Sequence, residues 1–194
     1  MSKAVLISIK PEWCRLIEYR EKIIEVRRTK PKLYKPFKVY IYCTLPKNSG
    51  DIYLVGGRNP VQGNGKVIGE FMCNKIHEYY PIDIKDPINK PYGDEIEALS
   101  CLSTKEVNDY GYRTLGYGKL YGWYISDLVI YDKPKELNEF FKKCDEDCPN
   151  CIFWQYKRVN SDEFDMDCSS LFDGYKPIKD PPQSWCYVEE KKDV

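Results

Sequence analysis

The chain opens on a mainly apolar run at residues 4–9, rich in β-branched side chains, which predicts a buried strand. Pro11 suits the first turn of a helix. Trp13, Leu16 and Ile17 then fall at i, i+3 and i+4 on one face, and that helix should end near residues 20–21. Residues 23–27 read as a strand, 30–38 as a basic loop holding Pro31 and Pro36, and 39–43 (VYIYC) as the next strand. The Gly/Asn/Pro-rich stretch 48–65 predicts a long surface loop or an irregular hairpin. Residues 66–76 are strand-like, with Gly69 marking a bulge or a close backbone approach. Three prolines exclude regular structure over 81–94. Ile96, Ala98, Leu99 and Leu102 predict a short helix, and Ser103 with Glu106 stands at capping-box spacing for another ending near Tyr110. Residues 121–131 (YGWYISDLVIY) carry the strongest strand pattern, and Pro134 is expected to open a helix running to about Lys143. Residues 144–184 show little periodicity, and apolar character returns only at 185–188, a final strand. Many strands with a few short helices predict an α+β domain built around a small mixed β-barrel.

Length and composition bound this picture. At 194 residues there is room for one domain and an appendage. The division expected is a barrel domain over 1–140, a Cys-rich insertion over 141–184, and a last strand returning to the barrel with a tail over 185–194. The chain is 42% apolar and 31% charged, which excludes disorder and fibrous repeats. The run at 4–9 is too short for the core of a signal peptide, and nowhere do 18 apolar residues run together. The expectation is a cytoplasmic protein without membrane contact, whose nine cysteines are reduced thiols or metal ligands rather than a disulfide framework.

Thirty basic and thirty acidic side chains give a net charge of zero, which argues against indiscriminate coating of nucleic acid. The zero is an average. Residues 1–48 carry +8, residues 49–135 carry −2 and residues 136–194 carry −6. Such a dipole is a solvated surface, a mutual pairing of the two ends, or a local basic site beside a separate acidic device.

Candidate chemistry concentrates in residues 8–28, SIKPEWCRLIEYREKIIEVRR. Lys22 sits at a turn, and Glu25 and Arg27, two apart, share one face of the strand that follows. A second cation beside Lys22 would make it a better base or nucleophile, while Glu25 pulls the other way. The plain alternative is an ordinary exposed Glu–Arg pair. His77, the only histidine, has no nucleophile signature near it. The segment around Gly63, Gly65 and Gly69 lacks the spacing and the Lys-Ser/Thr of a phosphate-binding loop.

This passage resembles the ASCH domain family, a branch of the PUA-like superfamily of small barrels linked to RNA and modified nucleosides. The family's mark is Gly-x-Lys-x-x-Glu-x-Arg after a short helix. Here Lys22, Glu25 and Arg27 match, residues 8–11 with Trp13 fit the lead-in, and Arg20 stands where the family has Gly. Segments 65–71, 121–136 and 182–189 also resemble long members of the family. The resemblance implies a pocket at one end of the barrel for RNA or a modified nucleoside. It implies catalytic roles for Lys22 and Glu25, and substrate binding by Lys10, Trp13, Arg27 and Trp123. Some small bacterial members hydrolyse N4-acetylcytidine with a Lys at the position of Lys22, a hydroxyl residue where this chain has Glu25, and a Glu from a later helix. On that pattern Lys22 would serve as base or nucleophile, Arg27 would steady the oxyanion, and Glu25 or Glu106 would protonate the leaving amine.

Cys144, Cys148, Cys151 and Cys168 form a C-x3-C-x2-C-x16-C arrangement in a polar segment. Four thiolates suit a closed structural Zn2+ site, and a metal would order a segment too poor in apolar residues to order itself. The alternative is that cysteine here is a small buried hydrophobe. Cys14, Cys43, Cys73 and Cys101 fall within regular elements and are expected in the core. A rival reading of the whole chain is a non-enzymatic interaction module, of the kind phages encode, docking a protein partner through its acidic Cys-rich tail.

Overall fold

The computed structural model describes residues 3–47, 51–56, 60–81, 92–114, 116–144 and 174–189. Strand β1 (Lys3–Ile9) is followed by helix α1 (Pro11–Glu18), then β2 (Ile24–Arg27) and β3 (Phe37–Cys43). Short strands β4 (Leu54–Val55) and β5 (Val61–Gln62) precede β6 (Val67–Cys73) and β7 (Ile76–Tyr79). Helices α2 (Asp94–Ser100) and α3 (Thr104–Gly111) lead into β8 (Tyr112–Arg113) and β9 (Gly116–Tyr117). Strands β10 (Leu120–Tyr124), β11 (Ser126–Lys135), β12 (Phe141–Lys143), β13 (Tyr175–Pro177) and β14 (Trp185–Glu189) complete the order.

A seven-stranded sheet in the order β11-β6-β3-β1-β14-β12-β13 faces a three-stranded sheet β2-β10-β7. Strands β1 and β3 pair in parallel, with Val5 opposite Val39, and the other pairs are antiparallel. The first strand is apolar from Ala4 to Ile7 because both its faces are covered there. Val5, Ile7 and Ile9 point into the barrel with Ile41, Phe71 and Trp123, while Ala4 and Leu6 meet Tyr40, Val67 and Val188 on the outside. A third cluster, Ile24, Val26, Tyr79, Ile96 and Val107, seats the helices α2 and α3 on the back of the small sheet.

The stretch expected as one strand over 121–131 is two. The chain leaves the small sheet after Tyr124, where β10 pairs with β7, and joins the large sheet at Ser126, where β11 pairs with β6. Asp127 takes a left-handed φ of 48° at this corner, and the Ser126 hydroxyl donates to Met72 O at 2.7 Å. The expected strand over 66–76 bends in parallel, so β6–β7 and β10–β11 form one ribbon folded between the sheets. Gly69 permits the crossing, since a Cβ there would stand 2.4 Å from Val129 O.

The helix expected from Pro134 does not form. Pro134 lies inside β11, an edge strand of the large sheet, where a missing N–H breaks no ladder. A 3₁₀ turn over Leu137–Glu139 and then β12 occupy the rest of that interval. The Gly-rich stretch is an irregular hairpin with a buried anchor. Asn64 Oδ1 accepts from Tyr53 N at 2.7 Å, and its Nδ2 donates to Thr44 O at 3.1 Å and Asp51 O at 3.2 Å. Cys14, Cys43 and Cys73 are core residues as expected, whereas Cys101 is half-exposed at the left-handed end of α2. Among the described residues no helix is long and apolar enough to cross a membrane.

Helix α1 ends on a left-handed residue. Arg20 has φ 60°, its N–H donates to Ile17 O at 3.0 Å, and Glu21 N donates to Leu16 O at 2.9 Å. This is the helix stop that glycine normally occupies, and it turns the chain so that Lys22 points back into the molecule.

Two stability outcomes are expected in urea denaturation. Arg20→Gly relieves the left-handed cost and raises stability by about 1 kcal/mol. Asn64→Ala leaves three loop backbone groups without partners and costs about 2–4 kcal/mol, against almost nothing for Tyr34→Ala at a 99% exposed position.

Candidate functional site

Three elements converge on a cavity of about 370 Å³ at one end of the barrel. The β1–α1 junction contributes Ser8, Lys10 and Trp13. The turn after α1 and strand β2 contribute Lys22, Glu25, Arg27 and Arg28. Helix α3 contributes Glu106, Asp109 and Tyr110. The helix-then-strand spacing explains the convergence: the left-handed stop delivers Lys22 inward, and the period of two in β2 sends Glu25 and Arg27 to the barrel side while Ile24 and Val26 face the helices.

The plain reading of Glu25 and Arg27 as an exposed pair is thereby overturned, for the ionic groups are inside. Lys22 is 2% exposed and Glu25 5%. Lys22 Nζ donates to Ser100 O at 2.7 Å, at the C-terminal end of α2, where a cation is favoured. It lies 3.4 Å from Glu25 Oε2 and 5.3 Å from the centre of the Trp13 ring. Arg27 Nη2 is 3.1 Å from Glu25 Oε1 and donates to Ser8 O at 2.6 Å. Two polar atoms of this network are buried without a hydrogen-bond partner: Glu25 Oε2, an acceptor, and Arg27 Nε, a donor. Leaving such groups unmet costs stability, and both belong to side chains that line the cavity.

Lys10 stands at the rim, its side chain 60% exposed and 3.6 Å from Glu12. Trp123, expected among the substrate-binding residues, is a core residue instead. It sits directly opposite Glu25 on β10, the middle strand of the small sheet, and is 0% exposed between Phe37 and Trp185. Its Nε1 is a third buried polar atom without a partner. Glu106 enters the cavity from α3 through the capping box that its spacing to Ser103 announces. The hydrogen bonds from Ser103 hold its carboxyl below the usual range, with Lys10 and Lys22 adding to the effect. Arg28, Asp109 and Tyr110 are cavity residues that sequence reasoning missed. Arg28 follows directly on the Lys-Glu-Arg stretch, but nothing local marks the outer face of α3 as a cavity wall.

His77 packs against Tyr79, with ring centres 4.5 Å apart, and takes no part in the cavity. Of the four cysteines expected to bind zinc, Cys144 is buried at the end of β12, and Cys148, Cys151 and Cys168 lie outside the described residues. Among the described residues no group of three or more His, Cys, Asp or Glu side chains could hold a metal ion.

No family model and no curated protein matches the chain. Solved structures do. The crystal structure of ASCH from Zymomonas mobilis is similar with a TM-score of 0.54 at 18% identity, over 96% of this chain and 88% of that one. A point mutant of the same protein gives 0.52 at 19% identity, over 97% and 92%. At that identity the likeness is one of fold, and it extends over nearly the whole of both chains. The chain shares the α+β fold of that ASCH structure.

Proposed function

We propose that the cavity recognises a modified nucleoside, a cytidine acylated on its exocyclic amine, and that this nucleoside belongs to RNA. The observation that carries the reading is the pair of unpartnered buried atoms, Glu25 Oε2 and Arg27 Nε, beside the Lys22 ammonium. Glu25 Oε2 offers an acceptor for the N4–H of a cytosine edge, and Arg27 Nε a donor for the N3 and O2 acceptors that follow it along that edge. Trp13 and Tyr110 supply aromatic walls, and about 370 Å³ is on the scale of a small-ligand site.

One observation favours turnover as an extension of binding. Glu106 supplies a carboxylate from a later helix, as hydrolytic members of the resembling family use. Its lowered pKa suits a base that takes a proton from water better than an acid. Water would then attack the acyl carbonyl, Lys22 and Arg27 would steady the oxyanion, and the C–N bond would break. The amine keeps the returned proton, and the acyl group leaves as a carboxylate.

Titration calorimetry with N4-acetylcytidine, cytidine and uridine tests the binding, and chromatography of the same mixtures tests release of cytidine. N4-acetylcytidine should bind most tightly. Glu25→Gln and Lys22→Met should each weaken it about tenfold or more, the scale of losing one charge-assisted hydrogen bond. If none of the three nucleosides binds, or both variants bind as the wild type does, the reading fails. A docking module acting through the acidic tail then stands in its place.

A further inference from the structure

Beyond the cavity rim, cations and aromatic rings form a continuous ridge. Arg28, itself a cavity residue, donates from Nε to Tyr110 O at 2.7 Å and lies 4.7 Å over the Tyr110 ring. Arg113, on the small hairpin β8–β9, bonds Arg28 O at 3.4 Å and Lys119 O at 3.2 Å. Its guanidinium crosses Gly118, where a Cβ would stand 2.5 Å from Arg113 Nε. Lys119 then reaches Glu78 Oε2 at 2.8 Å and the Tyr80 hydroxyl at 2.9 Å, lying 4.3 Å over the Tyr80 ring. Lys30 meets the other oxygen of Glu78 and lies 5.4 Å over the Tyr121 ring. Tyr121 in turn stands opposite Arg27 across β2 and β10, which brings the ridge back to the cavity wall.

Among the described residues the ridge holds four cations, Arg28, Arg113, Lys119 and Lys30, against one carboxylate. Glu78 cannot neutralise them; it pins two of them in place, and its own pKa is drawn down to about 2 by Lys119, Lys30 and Tyr80. The side chains remain accessible, at 46% for Lys30 and 34% for Lys119, and Tyr80 is 61% exposed. Apart from Arg28 and Tyr110, none of these groups lines the cavity. A positive ridge interleaved with exposed rings matches a strand of phosphates and unpaired bases, where the phosphates meet the cations and the bases stack. A duplex does not fit, because a base seated in the cavity must be out of its pair.

We propose that the cavity reads its nucleoside within single-stranded RNA, and that the flanking strand leaves over Arg28 and crosses the Arg113–Lys119–Lys30 ridge. This rests on the nucleoside reading above and adds the partner and the path.

Fluorescence anisotropy of a short single-stranded RNA carrying one N4-acetylcytidine, set beside calorimetry of the free nucleoside, separates the two. The RNA should bind at least about tenfold more tightly than the nucleoside. Its log K should fall against log salt with a slope of about −2, as about three phosphate contacts on a single strand give. The nucleoside should scarcely respond to salt. The double variant Lys30→Gln/Lys119→Gln should lose most of the RNA advantage and flatten the slope by about 1.4, with nucleoside affinity unchanged. Lys142→Gln, on β12 and outside the ridge, should change neither. An RNA that binds no more tightly than its nucleoside, or a double variant that binds RNA as the wild type does, overturns the path. Displacement of the RNA by poly-glutamate at equal charge concentration overturns it in favour of a protein partner, and tighter binding of DNA of the same sequence overturns the choice of RNA. Loss of nucleoside binding by the wild type overturns the cavity reading itself.

Discussion

The buried ammonium of Lys22 holds the site end of the barrel together. A lysine at 2% exposure is costly to bury unless it is partnered, and here a carbonyl distant in sequence accepts from it while a carboxylate three residues on balances its charge. Its bond to Ser100 O closes the C-terminal end of α2, and Glu25 on β2 supplies the countercharge. The turn that carries it is stitched to the same helix end twice more, by Ile23 N on Leu99 O at 2.8 Å and by Cys101 Sγ on Glu21 O at 3.3 Å. The left-handed Arg20 is the condition for all of this, since without that stop the chain could not reverse within four residues of the helix. Lys22 thus joins α1, β2 and α2, and the cavity is the space left between the first two and α3.

Glu25 has a divided position in this arrangement. One oxygen faces Arg27 and the other lies near Lys22 in a geometry too poor for a hydrogen bond. Two cations around one carboxylate leave a net positive floor, yet one acceptor on it is unmet. Such a floor discriminates by pattern rather than by charge alone: it favours a ligand offering a donor beside acceptors and leaves a simple anion with Glu25 as an opponent. That combination is the physical ground for a base edge over a phosphate as the occupant of the cavity, and it places any phosphate-tracking role outside on the ridge.

Much of this was legible in the sequence, and the rest was not, for a common reason. The apolar run of β1, Pro11 at the start of α1, the two-residue spacing of Glu25 and Arg27, and the Ser103–Glu106 box are local signals, and each reports the element it sits in. The corner at Ile125 is set by partners far away, β7 for one half and β6 for the other, while apolar alternation runs through it undisturbed. Pro134 misled for the same reason, because whether a proline opens a helix or sits on a sheet edge depends on which strand lies beside it. Trp123 was drawn towards the site by its neighbours in sequence, and its register opposite Glu25 does bring it there. It forms the wall behind the cavity rather than the wall within it.

The neutral total charge also has a structural account. Among the described residues, many cations of the first 48 residues find their partners outside the acidic tail. Arg15, Arg20, Arg27 and Arg28 donate to the backbone carbonyls of Ile52, Leu128, Ser8 and Tyr110, and Lys30 and Lys38 pair with Glu78 and Glu70 of the middle stretch. A guanidinium bonded to a carbonyl is held in place without being neutralised, so its field persists. This is how a chain of zero net charge presents a positive site: several cations of the first stretch, Arg27 and Arg28 at the cavity among them, are held by backbone carbonyls, and carboxylates offset only part of the excess there.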